Sequence, residues 1–216
     1  MPIIPFFQAG GIVAWPLLLF SLAAVALIVE RLFFWFRVTR RQRRVVRDFL
    51  KVYREKPDAA INYLQQNADL PIAKIFLEAL ELDNPNPEEF RLALESAAQA
   101  ELPTLKRFNT VFDTIVGISP LLGLLGTILG LITAFSSLNI GDVGGSRTTG
   151  VTGGISEALV STVMGLVVAI FTLFFSNIFR SFYQRQLALI QEYGGQLELL
   201  YRRQYEQRRE VYAASR

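Results

Sequence analysis

The 216-residue chain contains no cysteine and no histidine. The first absence excludes disulfides, thiolate nucleophiles and cysteine metal centres, and the second removes the commonest general acid, base and metal ligand. Enzyme chemistry loses most of its parts, so no catalytic residue, metal or cofactor is expected. Charge is also missing over long stretches: residues 1–29 and 114–141 carry none. Between residues 37 and 112 no stretch shows the period-two alternation of a half-buried strand.

What is present is segregated. With 51% hydrophobic and 19% charged residues, the chain is too apolar for an ordinary soluble domain, and the two kinds of residue separate along it. Of the 22 Lys and Arg, all but Arg147 fall within residues 31–107 or 180–216. By the positive-inside rule that side is cytoplasmic, which puts the N-terminus and residues 139–152 outside and the C-terminus inside. The pI near 9.3 then reads as membrane topology, and no nucleic-acid partner is expected.

The segments follow in order. Residues 1–10 form an outer-side N-terminal segment without a basic n-region, and residues 11–36 an uncleaved first span. Trp15 and Pro16 mark its start, and Phe33, Phe34, Trp35 and Arg37 its interfacial end. Glu30 and Arg31 read as charges snorkelling to the headgroups. Residues 37–112 are a cytoplasmic helical domain. It opens on the basic stretch TRRQRRVVRDFLKVYREK, whose Val45, Val46, Phe49, Leu50 and Tyr53 predict an amphipathic helix near anionic lipid.

Pro57 and Pro71 suit first helical turns, and Asn86-Pro87-Glu88-Glu89 reads as a cap. The helical pattern from Pro87 predicts one continuous helix into the second span, residues 113–138, with a kink at Pro120. The Gly-rich NIGDVGGSRTTGVT, residues 139–152, reads as a loop. A third span, residues 153–179, leads into a C-terminal cytoplasmic helix, residues 180–216, in which Gly194 and Gly195 are expected to weaken or bend the helix.

The second span holds the most informative stretch, SPLLGLLGTILGLITAFSS. Its small residues Gly123, Gly126, Gly130 and Ala134 recur at steps of three and four, which puts them on one side of a helix. In the third span Ala158, Ser161, Gly165 and Ala169 do the same. Lipid provides no hydrophobic drive between helices, so such faces serve close approach of backbones. If residues 138 and 153 mark one outer boundary, Thr127 and Thr162 come level at about 16 and 14 Å depth, and Glu157 lies about 6 Å in. A ring of subunits with these faces inward would carry hydroxyls at mid-membrane and a carboxylate near the outer mouth, a polar path for a proton or small cation. No ionisable residue is level with the threonines, so a proton-driven cycle needs a titratable group from another polypeptide.

Three blocks resemble the ExbB/TolQ/MotA family, nearer its ExbB and TolQ branch: FFQAGGIVAWPLLLFSLAAVALIVERL, SPLLGLLGTILGLITAF and GGISEALVSTVMGLVVAIFTLFFSN. The resemblance implies an all-α integral membrane subunit with three transmembrane helices and long cytoplasmic extensions. It implies a pentameric ring around a dimer of a single-span ExbD/TolR-like partner whose membrane aspartate titrates. It maps the pore threonines onto Thr127 and Thr162 and the third-span glutamate onto Glu157. Proton flow across the bacterial inner membrane would then drive work on a TonB- or TolA-like periplasmic protein. The alternative is a non-conducting membrane scaffold that gathers partners through its cytoplasmic helices, with the small faces serving packing alone.

Overall fold

The computed structural model describes residues 10–137 and 146–214, and every regular element among them is an α-helix. We label these α1 (Ala14–Glu55), α2 (Pro57–Gln65), α3 (Pro71–Leu80), α4 (Pro87–Leu105), α5 (Asn109–Ser136) and α6 (Ser146–Ala214). Three stretches, Ala14–Glu55, Pro87–Ser136 and Gly150–Val211, are long and apolar enough to cross a membrane. At about 1.5 Å rise per residue α1 is about 63 Å long, twice the ~30 Å hydrocarbon layer, so much of it extends beyond any span. Residues 1–9 and 138–145, which include most of the outer-side segment and half of the expected loop, lie outside the described residues.

The chain divides into two compact units, Met1–Arg31 with Phe108–Phe179, and Leu32–Arg107 with Arg180–Arg216. The first holds the membrane-length segments. Its core is a seam of small side chains closed at one end by Phe112 and Phe179, whose rings lie 5.7 Å apart. Pro120 sits inside α5 without interrupting it. Its missing N–H leaves the Val116 carbonyl without its usual helical donor.

The second unit is built like a soluble domain. Pro57 and Pro71 open α2 and α3 as first-turn prolines. At α4, the Asn86 side chain accepts from the N–H groups of Glu88 and Glu89 at 2.9 Å, and the Glu89 carboxylate accepts from the Asn86 N–H at 2.8 Å. This reciprocal box satisfies the donors that a helix start leaves open. The core is aromatic. Phe49, Phe76 and Phe90 are fully buried, Phe49 lies 5.5 Å from Phe76, and Phe90 stacks on Tyr201 at 4.0 Å. The Tyr201 hydroxyl donates to the Pro85 carbonyl at 2.6 Å.

Several expectations are corrected. The apolar face of the basic stretch does not meet lipid: Val45, Val46, Phe49, Leu50 and Tyr53 are all buried in the second unit's own core. A local pattern shows that a face must be covered, and tertiary packing decides by what. Arg31 does not snorkel either. It is 2% exposed, with Nε 3.4 Å from Glu30 Oε2 and its guanidinium 5.3 Å above the Phe108 ring, a cation–π geometry.

The helix from Pro87 is likewise not continuous into the second span. It stops at Leu105 and restarts at Asn109, and Phe108 takes a left-handed backbone with φ 68. That conformation is uncommon for an aromatic residue and costs on the order of 1 kcal/mol; here it places the ring under Arg31. In the other direction α6 begins at Ser146, inside the stretch read as loop, and runs through Gly194 and Gly195 without interruption. Glycine lowers helix propensity by about 1 kcal/mol per residue, but extending an existing helix needs no new nucleus.

Candidate functional site

The small residues of α5 and α6 face one another inside a single chain. A Cβ built on Gly130 would lie 2.7 Å from the Ala158 nitrogen and the Gly154 oxygen, and one on Gly154 would lie 2.6 Å from the Ala134 nitrogen. One on Gly165 would lie 2.5 Å from the Ser119 oxygen, and one on Gly126 would overlap the Ser161 side chain. Such distances leave no room for any side chain, so the backbones meet directly along this seam. Gly123, Gly126, Gly130 and Ala134 on α5 are buried, as are Ala158, Ser161, Gly165 and Ala169 on α6. The outward surface is bulky instead: Leu121, Phe135, Leu159 and Ile170 are 63 to 68% exposed.

This pairing fixes the axial register, which differs from the one assumed from a shared boundary. Gly154 is level with Ala134 and Gly130, and Thr162 is level with Gly123. Relative to the boundary assumption α6 is displaced along α5, and Thr127 and Thr162 stand about one helical turn apart. Leu138, one of the two boundary residues, lies outside the described residues.

Thr127 and Ser161 are placed by their own helices, Thr162 chiefly by the facing one. Thr127 Oγ1 donates to the Leu124 carbonyl at 2.5 Å. Thr162 Oγ1 donates across the seam to the Gly123 carbonyl at 3.2 Å and is 3.4 Å from the Ala158 carbonyl. Ser161 Oγ donates to Ala158 at 2.9 Å and is fully buried. Both threonines are half-exposed at the edge of the seam. A hydroxyl that has given its proton to a carbonyl offers lone pairs only, so each threonine presents an acceptor to a cation or to a protonated carboxylic acid.

Glu157 sits elsewhere. Its carboxylate lies directly over the Cα of Gly11, so close that a Cβ there would overlap Oε1. Gly11 has φ +63, a backbone that glycine adopts without penalty. Two independent reasons thus call for glycine at this position. Val13, just after it, packs 3.6 Å from where a Gly126 Cβ would be, so the entry to α1 is seated on the α5/α6 pair. The structure therefore brings Thr162 to Gly123 and Glu157 to Gly11. Gly11 was missed in the sequence, where its only signal was a Gly-Gly pair ahead of the first span.

Between Asp113 and its end α5 carries no ionisable residue, and α6 carries none between Glu157 and Arg180. On this register Glu157 comes level with Gly130, within about one helical turn of Thr127, so the hydroxyls have one carboxylate near the height of Thr127 and none at that of Thr162.

Helices throughout the described residues, three of them able to span a bilayer, with two part-exposed threonines beside a glycine seam, define a polytopic membrane protein. Comparison makes this more specific. Residues 67–192, which contain Thr127, Glu157 and Thr162, match the MotA/TolQ/ExbB proton channel family. The chain is 66% identical over 210 residues to ExbB-like 3 of Synechocystis sp., covering 97% of this chain and 100% of that protein. It is 40% identical over 197 residues to ExbB-like 1 of the same organism, covering 91% and 78%. It is also 37% identical over 87 residues to the biopolymer transport protein ExbB of Xanthomonas campestris, covering 40% and 34%. The chain belongs to the MotA/TolQ/ExbB proton channel family.

Proposed function

We propose that the chain is the ring-forming subunit of a proton-motive-force-driven motor in the inner membrane. It assembles as a homopentamer, with its N-terminus periplasmic and its C-terminus cytoplasmic. A single-span ExbD/TolR-like partner with a membrane aspartate occupies the ring and passes work to a TonB- or TolA-like protein, for uptake or envelope maintenance. The observation that carries the reading is the pair of part-exposed threonine hydroxyls, each already donating to a backbone carbonyl. An acceptor-only ring suits a partner carboxylic acid that arrives protonated and donates to it, then leaves once it has lost its proton.

In this reading the chain performs no covalent chemistry. The test is Thr127→Val and Thr162→Val, with assembly checked by size. We expect partner-dependent work in cells to fall by at least tenfold in either variant, about the loss of one acceptor contact to an ionisable group. Full activity in both variants would remove the hydroxyls from the mechanism.

A non-conducting scaffold is the second reading. It is favoured by the burial of the small faces against each other within one chain, which makes them packing surfaces whether or not ions move. Glu157→Gln separates the two: a scaffold tolerates it, whereas a conducting assembly shows altered ion flux.

A further inference from the structure

Just past the apolar stretch of α1, and just past the one that begins α6, the two helices enclose a small cavity of about 20 Å³, room for a single oxygen-sized group. Trp35 and Gln42 line it from α1, with Arg43 at the rim, and Phe182, Arg185 and Gln186 line it from α6. Trp35 is 3% exposed, Gln42 1% and Gln186 4%. Gln186 Nε2 donates to Gln42 Oε1 at 2.6 Å, and the Trp35 ring lies 5.7 Å from Phe182. The pairing of the two amides leaves a remainder: neither Trp35 Nε1 nor Gln42 Nε2 has a hydrogen-bond partner among the described residues.

Buried N–H donors are nearly always satisfied, and leaving one unmade costs roughly 1–3 kcal/mol. Thr39 and Gln186 also bring oxygens to the lining, yet neither takes these two N–H groups, which an acceptor seated in the cavity would satisfy. No carboxylate lines it, and two guanidiniums do, so an anionic oxygen is favoured over a neutral one. Arg43 also belongs to an open depression shared with Arg40, Arg44, Arg47 and Asp48, so positive charge continues outward from the cavity mouth. Trp35 stands at the interfacial end of the first span, where headgroups lie.

We propose that this cavity takes one phosphodiester oxygen of an anionic phospholipid. The oxygen accepts from the Trp35 and Gln42 N–H groups, Arg43 and Arg185 clasp the phosphate, and the arginine depression holds the rest of an uncharged or anionic headgroup. A choline headgroup is disfavoured because its cation would meet those arginines. The lipid would fasten α1 to α6 at the cytoplasmic surface. The inference rests on the spans and on this cavity, not on proton coupling, so the threonine variants do not bear on it.

The test uses the full chain carrying Trp15→Phe, which leaves Trp35 as the sole tryptophan, excited selectively at its red edge; Trp15 is 70% exposed. The chain is placed in phosphatidylcholine nanodiscs with increasing phosphatidylglycerol, and retained phosphatidylglycerol is counted in parallel by native mass spectrometry, which does not depend on the indole signal. The expected result is a saturating shift of Trp35 emission with phosphatidylglycerol and one tightly retained lipid per chain. Arg43→Gln or Arg185→Gln should weaken both by about tenfold, as loss of a charge-assisted bond does, while Arg208→Gln changes neither. Three results would overturn the proposal. Equal behaviour in both lipids, or no retained lipid, leaves only a buried water in the cavity. Insensitivity to both arginine substitutions removes the clasp. The same saturation by millimolar inorganic phosphate on the detergent-solubilised chain makes free phosphate the ligand.

Discussion

The two units of this chain are held together by opposite means. In the unit that carries the membrane-length segments the α5/α6 contact is made by glycine, alanine and serine, and large residues are buried mainly at its Phe112/Phe179 end and along α1, while others point away: Phe135 is 68% exposed, whereas Ser161 is 0%. In the other unit the large residues are inside, with Phe49, Phe76 and Phe90 at 0%. Where water is the solvent, burying bulk stabilises at roughly 25 cal/mol per Å². Where lipid is the solvent that gain vanishes, and only close backbone approach remains. One polypeptide thus inverts its own packing rule between the two units. A useful by-product is that the seam needs no bulky residue at the position of the hydroxyls, so a polar notch costs it little packing.

The contrast can be broken first at its hydrophobic end. Phe49→Ala should destabilise the second unit by about 3–5 kcal/mol, seen as an earlier loss of helicity in denaturant, with the membrane unit still resistant. At the other end, enlarging a seam residue should hurt where enlarging a free one does not. Gly130→Ala drives a Cβ onto backbone atoms 2.7 Å away and should cost about 1–3 kcal/mol in mixed-micelle unfolding. Gly117→Ala meets nothing within 4 Å and should be neutral or stabilising by up to about 1 kcal/mol. Equal effects of the two glycines would mean that the seam is not the contact.

Alkali sharpens the comparison, because the second unit buries a phenol. Burial pushes the Tyr53 hydroxyl up to about 12, with smaller contributions from Tyr201, which raises it, and Arg208, which lowers it. The unfolded chain releases this proton near pH 10, before the folded one does. The stabilisation is therefore complete below pH 10 and is lost as pH rises toward 12. A pH series of circular dichroism should show this loss, and Tyr53→Phe should flatten it. The smallest expected loss of stability is that of Asn86→Ala, which removes the capping box of α4 at about 1 kcal/mol and lowers the thermal midpoint of the second unit alone.

Much of this arrangement was legible in the sequence, and the residues show why. Asn86, Pro57 and Pro71 act through their immediate neighbours, so their roles can be read locally. The small residues of α5 and α6 recur at a helical period, so their common sides can be read too. The axial register of one helix on the other left no such trace, because a glycine face fits its partner at several offsets, and the boundary assumption displaced it. The break at Phe108 depends on Arg31, a residue far away in sequence, and no glycine announces the left-handed turn. Gly11 and Glu157 were each visible, but their meeting required the folded entry to α1.

Thr127 and Thr162 stand part-exposed at the edge of a seam whose small residues are buried. Because the natural chain has no cysteine, single cysteines can be placed on a silent background and challenged with a charged, water-borne thiol reagent in membranes lacking any partner. The account predicts rapid modification of Thr127→Cys and Thr162→Cys, and protection of Ala158→Cys and of Leu121→Cys, the first by the seam and the second by lipid. Modification of Leu121→Cys with both threonine positions protected would contradict it.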